Sequence, residues 1–240
     1  RAEGVAVLAQ EAATPEADGV TPVLDPLFAE LVEEAVRAAR GSEYVDQKSG
    51  VSVRAAIAAL EAVRANVLAR GLMTGDAAPR ARLVDLSAAV PALTGKLELA
   101  YEGEEQGAAR VAWHVLGQAV RTLWAEWRLP TVIDPATDER EAGPFAALLR
   151  WFAAGNRIAL DDRMPAQEHA RALRAVPGLE ALAGKLLPKL DAVLAMEFLV
   201  EGLYQGGGLA RTDSARGLTY SDLLATMLTR SEKKQRRAAE

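Results

Sequence analysis

The stretch Glu43-Tyr44-Val45-Asp46-Gln47-Lys48-Ser49-Gly50-Val51-Ser52-Val53-Arg54 puts a polar loop, a helix cap and a cation in immediate succession. Serine is favoured just before a helix because its hydroxyl accepts a hydrogen bond from a free backbone N–H of the first turn. Beyond Ser52, the residues Val53, Ile57, Leu60, Val63 and Val67 recur at helical spacing, ending before Gly71. The period predicts an amphipathic helix that opens at Ser52. Arg54 then falls in its first turn, at the edge of the buried face. The positive end of the helix macrodipole disfavours a cation there unless an anion sits beside it. Backbone N–H groups at a helix start already form an anion site, and a guanidinium adds a planar fork that grips phosphate oxygens in pairs. A nucleotide phosphate is one answer to the missing anion. An ordinary surface ion pair with a nearby carboxylate is the other.

The same periodicity extends in both directions from this helix. Gly4 to Ala13 reads as a short helix, followed by a Pro, Gly and Asp-rich loop to Pro22. Asp25 reads as an N-cap with Pro26 in the first helical position, and Leu27, Phe28, Leu31, Val32 and Val36 repeat at helical spacing until Gly41. After Gly75, Asp76 and Pro79, a shorter helix is expected from Leu83 towards Leu93, interrupted near its end by Pro91. Leu97, Leu99 and Tyr101 alternate with polar or small residues, which fits a short strand or the start of a helix broken at Gly103. The cluster Glu102, Glu104, Glu105 with Gly103 and Gly107 marks a boundary.

A long helix from Ala108 carries Val111, Val115, Leu116, Ala119, Val120, Leu123 and Trp127 on one face, ending at Leu129-Pro130. A loop through Asp134, Pro135, Asp138 and Gly143 follows. Further helices are expected over Phe145–Ala154, Pro165–Ala175, Leu179–Leu187 and Leu190–Tyr204. Gly206 to Gly208 read as a flexible linker, and Thr219 with Asp222 as a capping box for a last helix ending near Thr229. Arg230 to Arg237 form a basic tail. The expected fold is all-α with at most one short β segment.

Composition agrees with this reading. Half of the 240 residues are hydrophobic and only 5% are aromatic; the alanines and leucines favour helix. With no cysteine, neither a disulfide framework nor a thiolate zinc site is possible. The net charge of −5 comes from dispersed charges of both signs, which argues against a duplex-binding surface. No apolar run approaches the roughly 18 residues of a membrane span, and no signal peptide is evident. A cytoplasmic protein that binds neither nucleic acid nor membrane is expected.

Catalytic signatures are scarce. Gly95-Lys96 and Gly184-Lys185 are each followed by leucine, so the phosphate loop G-x-x-x-x-G-K-[ST] is missing. No apolar strand ends in an Asp-Glu pair suited to magnesium; Asp138-Glu139 stands in a polar loop. His114 and His169 lie far apart and lack partners at metal-ligand spacing, so no metal site is expected. His114 reads as a core or rim histidine beside an apolar stripe. Glu104-Glu105 and Asp161-Asp162 read as solvated surface or caps, because adjacent helical residues point apart. Trp124, Trp127, Trp151 and Phe152 read as core.

The run Glu43–Arg54, Pro79-Arg80 with Asp85, and Leu93-Thr94-Gly95-Lys96-Leu97-Glu98-Leu99 followed by Tyr101-Glu102-Gly103-Glu104 together resemble the carboxyl-terminal part of magnesium-chelatase-like, MoxR-related AAA+ ATPases. Trp151-Phe152, Val176-Pro177-Gly178-Leu179 and Met196-Glu197-Phe198 with Glu201-Gly202-Leu203 are similar to that family's tail. The resemblance implies an AAA+ helical lid followed by a second helical domain. Residues 1–22 would join an ATPase core that precedes Arg1 in a longer parent, 23–105 would form the lid, 106–229 a carboxyl-terminal helical domain, and 230–240 a basic tail. It also implies ATP and magnesium in the intact parent, with none bound by this chain alone and no activity without the core. Arg54 matches the lid's sensor arginine and, with Ser52, is the expected phosphate-binding position. Arg80 and Lys96 are secondary candidates for contacts across a subunit boundary. A homo-oligomeric ring and a partner with a von Willebrand A type domain are implied as well. The function expected is coupling ATP hydrolysis to remodelling of a partner or to metal insertion; the alternative is a stand-alone helical adaptor without nucleotide chemistry.

Overall fold

A computed structural model of the chain describes residues 1–48, 50–132, 143–214, 217–223 and 226. The chain divides into two compact units, 1–127 and 128–240. The first unit is helical: α1 (Ala2–Glu11), α2 (Pro26–Arg40), α3 (Val53–Thr74), a 3-10 turn (Leu83–Ala88), α4 (Ala89–Thr94), α5 (Tyr101–Gln106) and α6 (Ala108–Glu126). Asp25 caps α2 as expected, its Oδ1 accepting the Leu27 N–H at 2.9 Å with Pro26 opening the helix.

The core of this unit forms where α2 packs against α6 and α3, and α4 against α3 and α6. Leu27, Phe28, Leu31, Val32 and Val36 of α2 and Val111, Val115, Leu116, Val120 and Leu123 of α6 are all buried. Each such side chain contributes roughly 1.5–3 kcal/mol by leaving water. On α3 the buried stripe is Ala56, Leu60, Val63 and Val67 with Ala55 and Ala59, while Val53 is exposed and Ile57 only half-buried. The buried seam is rotated from the predicted one and takes in the alanines at 55, 56 and 59. The helix also passes through Gly71, which packs under Val20 and Pro79, and ends at Gly75.

Two details differ from the expected pattern. Leu97 to Tyr101 form no strand: Leu99 makes a single bridge to Val45, and α5 begins at Tyr101 and runs past Gly103 to Gln106. The acidic cluster lies on α5 inside the first unit, and the two units part at Trp127 and Arg128 instead.

The second unit contains α7 (Ala146–Ala153), α8 (Ala166–Arg174), α9 (Leu179–Leu186) and α10 (Ala192–Gln205), close to the predicted helices. An all-α fold does not describe it, however. Strands β1 (Ile158–Asp161), β2 (Leu209–Asp213) and β3 (Gly217–Asp222) form an antiparallel sheet in the order β1-β3-β2, with Ile158 opposite Tyr220 and Arg211 opposite Tyr220 on the other side. The protein is therefore mostly helical with a small sheet.

Gly206 to Gly208 are a tight helix stop, not a linker. Gly207, at φ +77°, donates to the Tyr204 carbonyl at 3.0 Å, and Gly208 donates to the Leu203 carbonyl at 2.8 Å. This pair of bonds closes α10 and needs a left-handed residue at its centre. The chain then enters β2 directly. Thr219 and Asp222 are residues of β3, not a capping box, because the segment finds hydrogen-bonding partners on both sides. The expected loop through Asp134, Pro135 and Asp138, the Asp138-Glu139 pair, the end of the last helix at Thr229 and the basic tail 230–240 lie outside the described residues.

Candidate functional site

The loop that leads to Arg54 is held at several points along its length. The Ser42 hydroxyl accepts the Tyr44 N–H at 3.2 Å, Gln47 Nε2 donates to the Ser42 and Val45 carbonyls at 2.9 and 3.0 Å, and Asp46 Oδ1 accepts the Lys48 N–H at 2.9 Å. These are local turns of the kind Asp and Ser side chains make with nearby backbone. The loop also docks on the segment before α5: the Asp46 N–H donates to the Glu98 carbonyl at 2.9 Å, and the Ala100 N–H to the Tyr44 carbonyl at 3.1 Å. Two of the stretches that carry the family resemblance, 43–54 and 93–104, are thus adjacent in the fold.

At the helix end, Arg40 Nε donates to the Val51 carbonyl at 3.0 Å. Ser52 follows as N-cap, its hydroxyl accepting the Arg54 N–H at 3.2 Å and its carbonyl the Ala55 N–H at 2.9 Å. Arg54 is exposed in the first turn of α3, a turn with no acidic residue. Among the described residues no carboxylate lies within ion-pair distance of its guanidinium. Cation and helix dipole share one sign there. Such a helix start attracts an anion.

The remaining predicted positions do not gather round Arg54. Arg80 is exposed, and its carbonyl accepts from Arg70 at 2.7 Å. Arg70 stands on α3 at a rise of roughly 24 Å from Arg54, so Arg54 and Arg80 belong to opposite ends of the helix. Lys96 is exposed just before the Leu97–Ala100 segment that docks on the loop, and so lies on the loop's side of the unit. Asp85, in contrast, is fully buried and pairs with Arg70; it also accepts from Asn66 Nδ2 at 2.8 Å and from the Arg82 N–H at 2.8 Å. Its role is to lock the 80–85 turn to α3.

Two polar groupings were not legible in the residue pattern. The first is a cleft of about 450 Å³ lined by Ser42, Glu43, Tyr44, His114 and Gln118, with a smaller one beside it reaching Gln106 and Arg110. The Tyr44 and His114 rings meet edge to face between them, with centroids 5.4 Å apart. His114 is an exposed residue of α6, not a core one. Partial burial of its ring, reinforced by Arg121 and opposed by Glu43, holds it below the ordinary imidazole value, which favours the neutral form.

The second grouping is buried in the second unit. Glu201 on α10 accepts from Arg211 NH1 at 2.7 Å, from Gln205 Nε2 at 2.7 Å and from the Tyr220 hydroxyl at 2.6 Å. Arg211 also bridges to Asp213 at 2.8 Å and stacks over Tyr204. One turn before Glu201, Glu197 lies 3.0 Å from His169 Nε2 of α8, both buried. Burial, with Glu201 alongside, pushes the Tyr220 hydroxyl well above the ordinary tyrosine value. For Arg211, burial is the largest single influence and acts downward, but Glu201, Tyr220, Asp213 and Tyr204 together outweigh it, and the net shift is upward. These contacts tie α10 to β2, β3 and α8.

Among the described residues no three His, Asp or Glu side chains stand together as metal ligands, and no helix is long and apolar enough to cross a membrane. Compared with known proteins, the chain matches no family, no curated protein and no solved structure.

Proposed function

We propose that this chain is the lid and carboxyl-terminal region of an ATP-driven AAA+ motor related to magnesium chelatase, in which Arg54 contacts the nucleotide phosphates. The observation that carries the reading is an exposed guanidinium at the start of a capped helix, with no acidic residue in that turn and no described carboxylate paired to it. A triphosphate is the anion that fits: it accepts the paired N–H donors of the guanidinium and sits favourably at the dipole's positive end. Support also comes from the loop before Ser52, whose bonds to residues 98 and 100 would give Arg54 a fixed origin.

In this reading an ATPase core supplies the phosphate loop and the magnesium ligands. Arg54 and the α3 N-terminus balance charge as the terminal phosphate departs, so that hydrolysis alters how the lid is held. The motor acts in a ring of like subunits, on a partner protein or on metal insertion, with a von Willebrand A type protein as candidate partner. Arg80 and Lys96 are proposed as cross-subunit contacts, on different ends of the lid.

The test is Arg54→Ala in the ATP-hydrolysing protein. Loss of one such electrostatic contact is expected to lower turnover on the order of 100-fold, with the thermal midpoint unchanged. Unaltered turnover would favour the helical adaptor instead.

A further inference from the structure

We infer that Arg40 is a positioning residue for Arg54, acting through the backbone of Val51 and the Ser52 cap; the inference rests on the phosphate-contact reading of Arg54. Arg40 is in the last turn of α2, and its side chain is 40% exposed, so it is not needed to fill the core. Its guanidinium nevertheless has two defined contacts. Nε donates to the Val51 carbonyl at 3.0 Å, and NH1 lies 3.8 Å from Glu33 Oε1. Glu33 is itself buried, on α2 two turns earlier. One end of the arginine is therefore anchored to a helix whose core face packs on α6, and the other holds the residue immediately before the N-cap.

Holding Val51 in place also holds the cap. The Ser52 hydroxyl and carbonyl receive the Arg54 and Ala55 N–H groups, and Val51 itself is buried. A displacement at Val51 turns the cap and swings the long Arg54 side chain, whose reach magnifies small changes at its base. Misplacement by about 1 Å is enough to cost a large part of a catalytic contact. Asp46 and Tyr44 fix the far end of the same loop on residues 98 and 100. Arg40 is the side chain that fixes the near end.

The test has two arms. In this chain, Arg40→Ala is expected to speed amide hydrogen exchange at Arg54 and Ala55 by about five- to tenfold, the change expected from losing one hydrogen bond, while Leu31 and Leu116 keep their protection. Glu33→Gln weakens the anchoring ion pair but keeps the Arg40 to Val51 bond, and is expected to speed exchange at Arg54 and Ala55 by less than Arg40→Ala does. Equal exchange in Arg40→Ala and the parent chain, or a larger rise in Glu33→Gln than in Arg40→Ala, would overturn the inference. In the ATP-hydrolysing protein, assayed well below the thermal midpoint of each variant, Arg40→Ala is expected to lower kcat about tenfold, yet to add nothing in an Arg54→Ala background, as for residues acting through one group. If Arg54→Ala lowers turnover and Arg40→Ala does not, the positioning role fails and the phosphate contact stands. If Arg54→Ala has no effect, both fail.

Discussion

Gly103 of α5 lies directly against the carbonyl of Tyr44: a Cβ at position 103 would stand 2.0 Å from that oxygen. The contact exists because the Ala100 N–H draws the same carbonyl in, at 3.1 Å. The loop before α3 and the helix α5 therefore share one backbone junction.

Gly103→Ala is expected to push α5 off the loop, since the obstructing atom is backbone and cannot rotate away. Overpacking of this kind costs about 1–3 kcal/mol. A urea titration should show a lower midpoint, and amide exchange should rise at Asp46 and Ala100, whose bonds span the junction. An unchanged midpoint would contradict the close approach.

Asp85 and Arg70 form a buried pair whose remaining polar atoms are engaged by Asn66, the Arg82 N–H and the Arg80 carbonyl. Removing the carboxylate by Asp85→Ala leaves the guanidinium buried without its countercharge, a loss of about 3–5 kcal/mol. Chemical denaturation measures it directly. A change under about 1 kcal/mol would mean that the pair is solvated.

Tyr220 gives a pH signature. Its hydroxyl donates to Glu201 at 2.6 Å, and burial raises its pKa from the ordinary 10.0. The folded state thus keeps the phenolic proton more tightly than the unfolded state. The resulting stabilisation is complete below pH 10.0 and is lost as pH rises through the elevated folded value. Tyr220→Phe should lower stability at neutral pH by about 1–3 kcal/mol and show a smaller further loss above pH 10.0 than the parent protein. Parallel stability curves for the two would refute the assignment.

His114 behaves oppositely. Its pKa is held below 6.5, so the unfolded chain binds the proton first as pH falls. The stability that the neutral ring contributes is present above pH 6.5 and declines below it. Proton NMR of the imidazole should give a titration midpoint under the ordinary value, moving upward in Arg121→Gln because that cation disfavours the charged ring. A midpoint above 6.5 would be incompatible with the cleft's geometry.

What could be read in the residues was whatever depends on neighbours within a turn or two. Asp25-Pro26 and Ser52 announce their helices because a side-chain oxygen meets an N–H two residues away, and the periodic apolar faces of α2 and α6 follow from helical geometry alone. Arg54's place in the first turn of α3 belongs to the same local class. The sheet was not legible: β1 is four residues long, and its partner Tyr220 lies far along the chain from Ile158. Such pairing depends on chain closure, which no short window of sequence encodes. Nor did the pattern distinguish an exposed Asp85 from a buried one, or show that Tyr44 would meet both Gly103 and His114. Whether Arg54 has a carboxylate beside it was likewise a tertiary matter, because charges distant in sequence become neighbours only when α2, α3 and α6 pack.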